Sequence, residues 1–223
     1  MITVHHLNNS RSQRVLWLLE ELELPYEIVK YERDPKTMLA PPELKKVHPL
    51  GKSPVITDGD LTVAESGAIL DHLLDRHGNG RLVPKPGTPE MTRYRFYMHY
   101  AEGSLMPFLL LKLIFNRVRT APLPFFVKPI AKKIANGVSD QFVNPNLKTH
   151  LTFLESELGK STWFAGNELT AADIQMSYAV ESAVGRAAEF GVGDKLRGFV
   201  ERMKARPAYK RAIERGGPYD LVG

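Results

Sequence analysis

Cysteine is absent from the 223 residues of the chain. Without it the protein can form neither disulfides nor a metal site built on thiolates, and it carries no thiol nucleophile of its own. Such a composition suits a reducing compartment. Any thiol chemistry at this protein therefore needs a thiol that belongs to a ligand.

Long hydrophobic runs are also lacking. The most apolar stretch, LMPFLLLKLIF at residues 105–115, is too short to span a bilayer and includes Lys112. The N-terminus shows no positively charged region followed by a long apolar core, as a secretory signal would. Hydrophobic residues still make up 43% of the chain, enough for an ordinary buried core. We expect a soluble, cytoplasmic protein.

Acidic residues are missing from one part of the chain, residues 103–139. The net charge of +5 is uneven, because residues 1–80 hold nine Lys/Arg and twelve Asp/Glu and the remainder is strongly basic. This contrast indicates two domains. No stripe of Lys and Arg with interleaved aromatic residues occurs, so we expect no nucleic-acid partner. The acid-free stretch carries six cations: Lys112, Arg117, Arg119, Lys128, Lys132 and Lys133.

Hydrophobic spacing predicts alternating strands and helices at the start of the chain. Residues 2–6 and 26–32 have the pattern of strands, and a helix lies between them and ends before Pro25. A short helix near residues 42–47, a β-hairpin and a helix over residues 65–76 follow. The strand-helix-strand start implies a parallel pair of strands, and the hairpin implies an antiparallel pair.

Helical spacing dominates the rest of the chain. Residues 76–90 are rich in Gly and Pro, which is typical of a linker. Beyond them only TAPLPFFVKP, at residues 120–129, interrupts the helical pattern. We therefore predict an α/β domain over residues 1–80, a linker over 81–90 and an all-helical domain over 91–223.

The polar run NNSRSQR separates the first predicted strand from the first helix. Ser10 and Gln13 have the spacing of a capping box, in which the two side chains simply start the helix. A helix N-terminus also stabilises anions, and a hydroxyl there can hydrogen-bond to the thiolate of a ligand. Ser12 is a rival hydroxyl, but its place in the helix predicts that it projects away from the opening. Alone, the run favours the structural role.

Two further polar motifs occur where predicted elements meet. In HPLGKSP, Pro54 opens a strand and so belongs at a sheet edge or a bend, while Lys52 has the character of a surface lysine. In AESGAIL, Glu65 and Ser66 lie where a strand gives way to a helix. They could cap that helix. Alternatively, they could hold the ammonium and the carboxylate of a zwitterionic amino acid.

Patterns in the second half favour structural roles. Thr170 and Asp173 have capping-box spacing ahead of an apolar helix, and we interpret them as a helix start. Aromatic and Met residues between positions 97 and 115 recur at helical spacing. Such residues are more often core than pocket, so we nominate none of them as a site.

Together the motifs resemble those of the cytosolic glutathione transferases. The resemblance rests on NNSRSQRVLWLLEEL, HPLGKSPVITDGDLTVAESGAILDHLLD and WFAGNELTAADIQMSYAV, and it covers nearly the whole chain. The first helix is most similar to the serine-type classes, in a bacterial and fungal branch related to theta and delta. Residues 1–25 contain no Tyr, and the chain no Cys, which the other types need. The resemblance implies a thioredoxin-like N-terminal domain, an all-helical C-terminal domain and a homodimer.

The resemblance also implies roles for individual residues. Ser10 matches the hydroxyl that activates the glutathione thiol, although Asn8-Asn9 stand where related classes have Pro-Gly. Ser53-Pro54 matches a cis-proline bend that pairs with the cysteinyl part of glutathione. The residues that match glutathione-binding positions are His48, Lys52, Ser53, Pro54, Glu65 and Ser66. Glutathione would be a cosubstrate, and neither a cofactor nor a metal is implied.

The implied activity is the transfer of glutathione to small electrophilic, largely apolar substrates, a detoxification reaction. One alternative is a non-catalytic glutathione-binding or scaffold protein, but such relatives tend to lose the hydroxyl or the Glu-Ser pair that this chain keeps. Another is a different glutathione-dependent reaction on the same site, such as peroxide reduction, dehalogenation or isomerisation. Thiolate activation is common to all of these reactions, so the sequence leaves them open.

The acid-free segment 103–139 has two interpretations. It could lie on an anionic membrane surface, as basic amphipathic segments do. It could instead form a basic helical hairpin that covers the substrate cleft and attracts anionic ligands. The sequence favours the cleft cover over the membrane surface.

Overall fold

The computed structural model describes residues 1–217 of the chain. The first part forms one mixed sheet of four strands: β1 (Ile2–Leu7), β2 (Tyr26–Tyr31), β3 (Val55–Asp58) and β4 (Leu61–Ala64). The strand order is β2-β1-β3-β4. β1 and β2 are parallel, whereas β3 is antiparallel to both β1 and β4. The predicted parallel pair and the predicted hairpin are both confirmed.

Three helices accompany this sheet: α1 (Ser12–Leu22), α2 (Leu44–Val47) and α3 (Ser66–His77). α1 stops at Glu23, whose φ of 57° is left-handed, and Pro25 two residues later could not continue the helix. Each predicted helix is present, with its ends shifted by one or two residues. The predicted order of elements in the first part is therefore confirmed.

The rest of the described chain is helical: α4 (Pro89–Tyr100), α5 (Met106–Thr120), α6 (Lys128–Val138), α7 (Asn144–Leu158), α8 (Ala171–Arg186), α9 (Asp194–Ala205) and α10 (Pro207–Gly216). Residues 121–127 break the helical pattern, as their prolines predict. No helix within residues 1–217 is long and apolar enough to cross a membrane. The predicted fold class, a small α/β part followed by an all-helical part, is confirmed.

π-Helical segments join two pairs of these helices. Ala101–Leu105 continues α4 into α5, and Ser139–Val143 continues α6 into α7. A π-helical turn inserts an extra residue into a helix and often occurs at a functional site. The first of the two segments carries Glu102, which reaches toward the N-terminal part of the chain.

α1 lies at the centre of the molecule. All eleven of its residues are buried, and it packs on β1, α3, α8 and α10. The Trp17 ring meets the Tyr209 ring edge-on at 5.3 Å, and its Nε1 donates to Glu21 at 2.8 Å. Five of its eleven residues are polar or charged, and the charged ones, Arg14, Glu20 and Glu21, form ion pairs with residues of the helical part.

The interpretation of Thr170 and Asp173 as a helix start agrees with the structure. The Asp173 carboxylate is fully buried at the start of α8 and accepts the Thr170 N–H at 2.9 Å and the Thr170 hydroxyl at 3.0 Å. Its second oxygen accepts the Phe164 N–H at 2.8 Å. This side chain therefore ties the preceding loop to α8 as well as capping the helix.

Candidate active site

Six of the seven predicted site residues line one cleft of about 290 Å³. A larger concavity of about 680 Å³ lies where the linker meets residues 165–170, but it contains none of the predicted residues. We take the smaller cleft as the candidate site because the chemically capable side chains meet there. Its lining consists of Arg11, His48, Leu50, Lys52, Ser53, Pro54, Ala64, Glu65, Ser66 and Glu102.

A cis peptide bond between Ser53 and Pro54 forms one wall of the cleft. Pro54 is buried and leads directly into β3, which pairs on both sides, so it occupies a bend rather than a sheet edge. The Ser53 hydroxyl donates to the His5 carbonyl of β1 at 3.0 Å. The bend is thereby fixed against β1, next to the start of α1.

Glu65 and Ser66 form the wall where β4 meets α3. Glu65 has φ 72° and ψ 128°, a backbone conformation that residues other than Gly rarely adopt. Its side chain is exposed and makes no capping hydrogen bond to α3, while Ser66 is buried as the first helical residue. The structure therefore gives no support to the capping role. Strained residues of this kind cluster at ligand sites.

The loop before Ser10 is held by Arg33. Its guanidinium donates to the carbonyls of Asn8 and Asn9, both at 3.2 Å, and of Met38 at 3.0 Å. The Asn8 side chain in turn accepts the Arg33 N–H at 2.9 Å. Asn9 has φ 49°, the left-handed conformation that Asn tolerates better than most residues. Asn8 and Asn9 thus form a turn that Arg33 holds in place, and this turn positions Ser10 at the N-terminus of α1.

The predicted capping box of Ser10 and Gln13 is wrong. α1 begins at Ser12, and both polar atoms of the buried Gln13 side chain lack a hydrogen-bond partner among the described residues. The Ser10 hydroxyl instead accepts the Ser12 N–H at 3.2 Å and lies 2.7 Å from the Ser12 hydroxyl. The Ser10 side chain is thus hydrogen-bonded to Ser12. α1 begins at Ser12, which is later than a helix capped by Ser10 would begin.

His6 lies at the buried end of this pair of hydroxyls. Burial, and to a lesser extent Lys30, lowers the pKa of His6 to about 4, against a hydrogen bond to the Gly216 backbone that raises it. The ring is therefore neutral at pH 7. Its Nδ1 lies 2.8 Å from the Ser12 hydroxyl, which also lies 3.5 Å from the Leu7 carbonyl.

Ser10, Ser12 and His6 form a chain of hydrogen bonds, with 2.7 Å between the two hydroxyls and 2.8 Å from the Ser12 hydroxyl to the ring. In the free protein the Ser10 hydroxyl is therefore already hydrogen-bonded to Ser12. Ser12 is completely buried and faces His6, in agreement with the predicted orientation away from the opening.

The environment of Ser10 is positively charged. The Ser10 hydroxyl lies 3.5 Å from the Ser53 hydroxyl of the cleft wall and at the positive end of the α1 dipole. Arg11 donates to Glu102 at 2.9 Å, and the fully buried Arg14 binds the same carboxylate. Two cations facing one carboxylate leave a net positive charge, which favours an anion at this point.

Sequence reasoning missed Arg11 and Glu102. Burial raises the pKa of Glu102, but Arg14 and Arg11 outweigh it and lower the pKa below its usual value. The carboxylate is therefore ionised and fixed between two arginines. The only signal in the sequence was that Glu102 is the last acid before the acid-free segment. Its partners lie about ninety positions away, where local patterns carry no information.

Both parts of the chain match models of one protein family. Residues 1–75 match the Glutathione S-transferase, N-terminal domain, and residues 119–215 match the Glutathione S-transferase, C-terminal domain. Glutathione S-transferase 3 of Schizosaccharomyces pombe is 34% identical to this chain over 96% of its length and 88% of the relative's. The chain belongs to the glutathione S-transferase family. The resemblance found in the motifs is thereby confirmed.

Two further glutathione S-transferases agree with this assignment. Glutathione S-transferase 1 of Saccharomyces cerevisiae is 36% identical over 83% of this chain and 82% of its own. The crystal structure of a glutathione S-transferase from Actinobacillus pleuropneumoniae has a TM-score of 0.80 at 32% identity, and the match covers 99% of this chain and 95% of that one. The similarity therefore includes both parts of the glutathione S-transferase architecture.

Proposed function

We propose that this protein activates the thiol of glutathione with Ser10 and transfers glutathione to small electrophilic, largely apolar substrates. The observation that carries the proposal is that the Ser53-Pro54 bend and the Glu65-Ser66 turn line one cleft, with the buried Ser10 hydroxyl directly behind it, 3.5 Å from the Ser53 hydroxyl. Ser10 and Ser53 are more than forty positions apart in sequence, and the fold brings them together at the N-terminus of α1.

The charges along the cleft suit the two ends of glutathione. At one end, the exposed Glu65 carboxylate would hold the ammonium of the γ-glutamyl group, and Ser66 at the start of α3 its carboxylate. At the other end, Lys52 and His48 would face the glycyl carboxylate. The backbone of Ser53, which lines the same cleft, would pair with the cysteinyl part. Because the Ser53 hydroxyl lies 3.5 Å from that of Ser10, such pairing would bring the thiol toward Ser10.

The reaction follows from the charge around Ser10. A free thiol of this type has a pKa of about 8.5, so it is mostly protonated at neutral pH. The thiol gives its proton to water, because the dipole of α1 and the cations Arg11 and Arg14 favour the thiolate and the Ser10 hydroxyl donates a hydrogen bond to it. The thiolate attacks the electrophilic carbon, and the leaving group departs with its electron pair. Glutathione is consumed as a cosubstrate, so the protein forms no covalent intermediate.

Two measurements test this proposal. The thiolate absorbance of bound glutathione near 240 nm, followed against pH, should give a thiol pKa at least one unit higher in Ser10→Ala than in wild type. Turnover should be found within a panel of aryl halides, isothiocyanates and organic hydroperoxides. Absence of glutathione binding would overturn the whole proposal. Equal thiolate fractions would remove Ser10 from its role, and binding without turnover would favour a scaffold protein.

We also propose that the protein acts as a homodimer in the cytoplasm. Family membership and the absence of cysteine from the sequence support this assembly and this compartment. Sedimentation velocity at micromolar concentration should give about twice the monomer mass of 25.1 kDa. A monomer throughout the concentration range would contradict the dimer.

A further inference from the structure

α5, residues 121–127 and α6 form a hairpin that extends from the body of the protein. We call it the apolar-basic hairpin, residues 106–138. Residues 113–134, all of which the structure describes, include no buried side chain. α6 packs chiefly on α5 and on the π-helical segment that follows it. A helical pair usually buries an apolar face in the core, so this hairpin has a face without a partner.

The exposed face of the apolar-basic hairpin carries large apolar side chains. Phe125 and Phe126, at its tip, are 85% and 65% exposed. An apolar stripe with a spacing of four residues runs along α5, and a pair one turn apart lies on α6. The members of the stripe and the pair are Leu110, Ile114, Val118, Ile130 and Ile134, all exposed. Seven large apolar side chains exposed on one hairpin are typical of an interaction site.

The charge of the apolar-basic hairpin has one sign. No Asp or Glu occurs between residues 103 and 139. Lys112 turns inward to Asn144 and to the Phe190 ring, and it pairs with Glu189 at 3.5 Å. The other five cations are exposed: Arg117, Arg119, Lys128, Lys132 and Lys133. The surface therefore offers apolar groups and positive charge together, with no carboxylate of its own to offset it.

The active-site cleft does not account for this surface. None of the described residues that line the cleft belongs to the apolar-basic hairpin. The exposed stripe on α5 and the pair on α6 are therefore not part of that cleft, and the cover over the electrophile's pocket stays a prediction. Two copies of the hairpin packed face to face would gather the exposed cations of both at one interface, with no carboxylate of either hairpin to pair with them, so we do not take a second hairpin as the occupant.

We propose that the apolar-basic hairpin docks on the surface of an anionic lipid bilayer. Helices that lie in a membrane interface combine Phe, Leu and Ile on one face with Lys and Arg beside them, which is what this hairpin presents. Protein interfaces, by contrast, are depleted in Lys, and three of the five exposed cations here are lysines. Phe125 and Phe126 would enter the headgroup region, and the cations would bind lipid phosphates and carboxylates.

Vesicle sedimentation tests this proposal on the full chain. Wild type should bind vesicles of 70% phosphatidylcholine and 30% phosphatidylserine, and at least tenfold more weakly at 500 mM than at 50 mM salt. The triple variant Lys128→Gln, Lys132→Gln, Lys133→Gln should bind on the order of 100-fold more weakly. The double variant Phe125→Ser, Phe126→Ser should bind at least tenfold more weakly than wild type. It should also lose the part of the binding that persists at high salt, because that part depends on apolar contact.

Matched controls separate the hairpin from the rest of the surface. Lys36→Gln, Lys85→Gln, Lys195→Gln removes as many exposed lysines elsewhere, and Leu39→Ser, Leu61→Ser removes two exposed apolar groups. Both controls should bind like wild type. Thermal melting checks that every variant is folded, independently of glutathione chemistry. The proposal is overturned if wild type ignores anionic vesicles, if it binds pure phosphatidylcholine equally well, or if Phe125→Ser, Phe126→Ser only dissociates an oligomer.

Discussion

At the scale of single residues, Ser10 and Ser12 look interchangeable in the sequence but differ in what their hydroxyls face. Ser10 lies beside the Ser53 wall of the cleft, and Ser12 is sealed against His6. The 2.7 Å bond between them makes Ser12 a competitor for the Ser10 hydroxyl, which a thiolate would also need. The two serines are therefore expected to act in opposite senses on the pKa of the bound thiol.

Ser12→Ala tests this opposition. Removal of the competing hydroxyl frees the Ser10 side chain, so the pKa of bound glutathione should fall slightly, by up to about half a unit. Absorbance near 240 nm against pH measures it, with Ser10→Ala as the comparison. A rise in Ser12→Ala as large as that in Ser10→Ala would instead identify Ser12 as part of the activating group.

At the scale of secondary-structure elements, the start of α8 depends on one carboxylate. Burial raises the pKa of Asp173 to about 6, although three hydrogen bonds from Phe164 and Thr170 favour its ionised form. Two of these donors are backbone N–H groups with no alternative acceptor provided by the helix. Burial of the Asp173 carboxylate costs free energy, but its removal would cost more, because its hydrogen-bond donors would be left without an acceptor.

Asp173→Ala should lower the free energy of unfolding by about 3 kcal/mol, because two buried N–H groups lose their acceptor. Asp173→Asn keeps one acceptor oxygen and should lose less. Urea denaturation at pH 7 measures both. Asp75→Ala, at an exposed position of α3, is the control and should stay within about 0.5 kcal/mol of wild type. Equal losses of unfolding free energy in Asp173→Ala and Asp75→Ala would contradict the role of Asp173 in stabilising the start of α8.

His6 links three elements, because it belongs to β1, is hydrogen-bonded to Ser12 of α1 and interacts with the Gly216 backbone at the end of α10. Burial lowers its pKa from 6.5 to about 4, so the folded protein binds fewer protons than the unfolded chain between these values. The stability that neutral His6 contributes is complete above pH 6.5. It is lost as the pH falls to about 4.

His6→Gln should therefore flatten the dependence of unfolding free energy on pH between 6.5 and 4, by about 3 kcal/mol over that range. Urea denaturation at several pH values measures the slope. His99→Gln, at an exposed position of α4, should keep the wild-type slope. If His6→Gln and wild type had parallel pH profiles, His6 would not be the group that titrates.

How well sequence predicted an element depended on whether local spacing controlled it. The strands, the hairpin at Gly59 and the break at residues 121–127 follow from periodicity and from Pro and Gly, and all are present. The start of α1 was misplaced because His6 and Ser12, packed together in three dimensions, take up the Ser10 side chain. Arg11 and Glu102 were not predicted, because their ion pair joins residues about ninety positions apart in sequence.

At the scale of the whole molecule, the division into domains at residues 80 and 90 stays a prediction from the linker sequence. The packing crosses that division, because α1 contacts α8 and α10 as well as β1 and α3. Glu20 binds Arg211 at 2.7 Å and Arg215 at 3.2 Å, and Glu21 binds Arg206. The first part thus shares its central helix with the second.

A fragment of residues 1–80 is accordingly expected not to fold alone. Its α1 would expose Leu16, Trp17 and neighbouring apolar groups to water, at about 25 cal/mol for each Å². Circular dichroism and amide exchange of the fragment would show this, with the full chain as reference. A cooperative unfolding transition in the fragment would contradict the prediction.

The burial of α1 on every side also bears on how such chains diversify. Recombination that joins the first part of one family member to the second part of another brings together an α1 and an α10 that never adapted to each other. The pairs of Glu20 and Glu21 with Arg206 and Arg211 would have to match across the junction. Sequence change at α1 and α10 is therefore expected to be correlated, and successful exchange should carry both helices together.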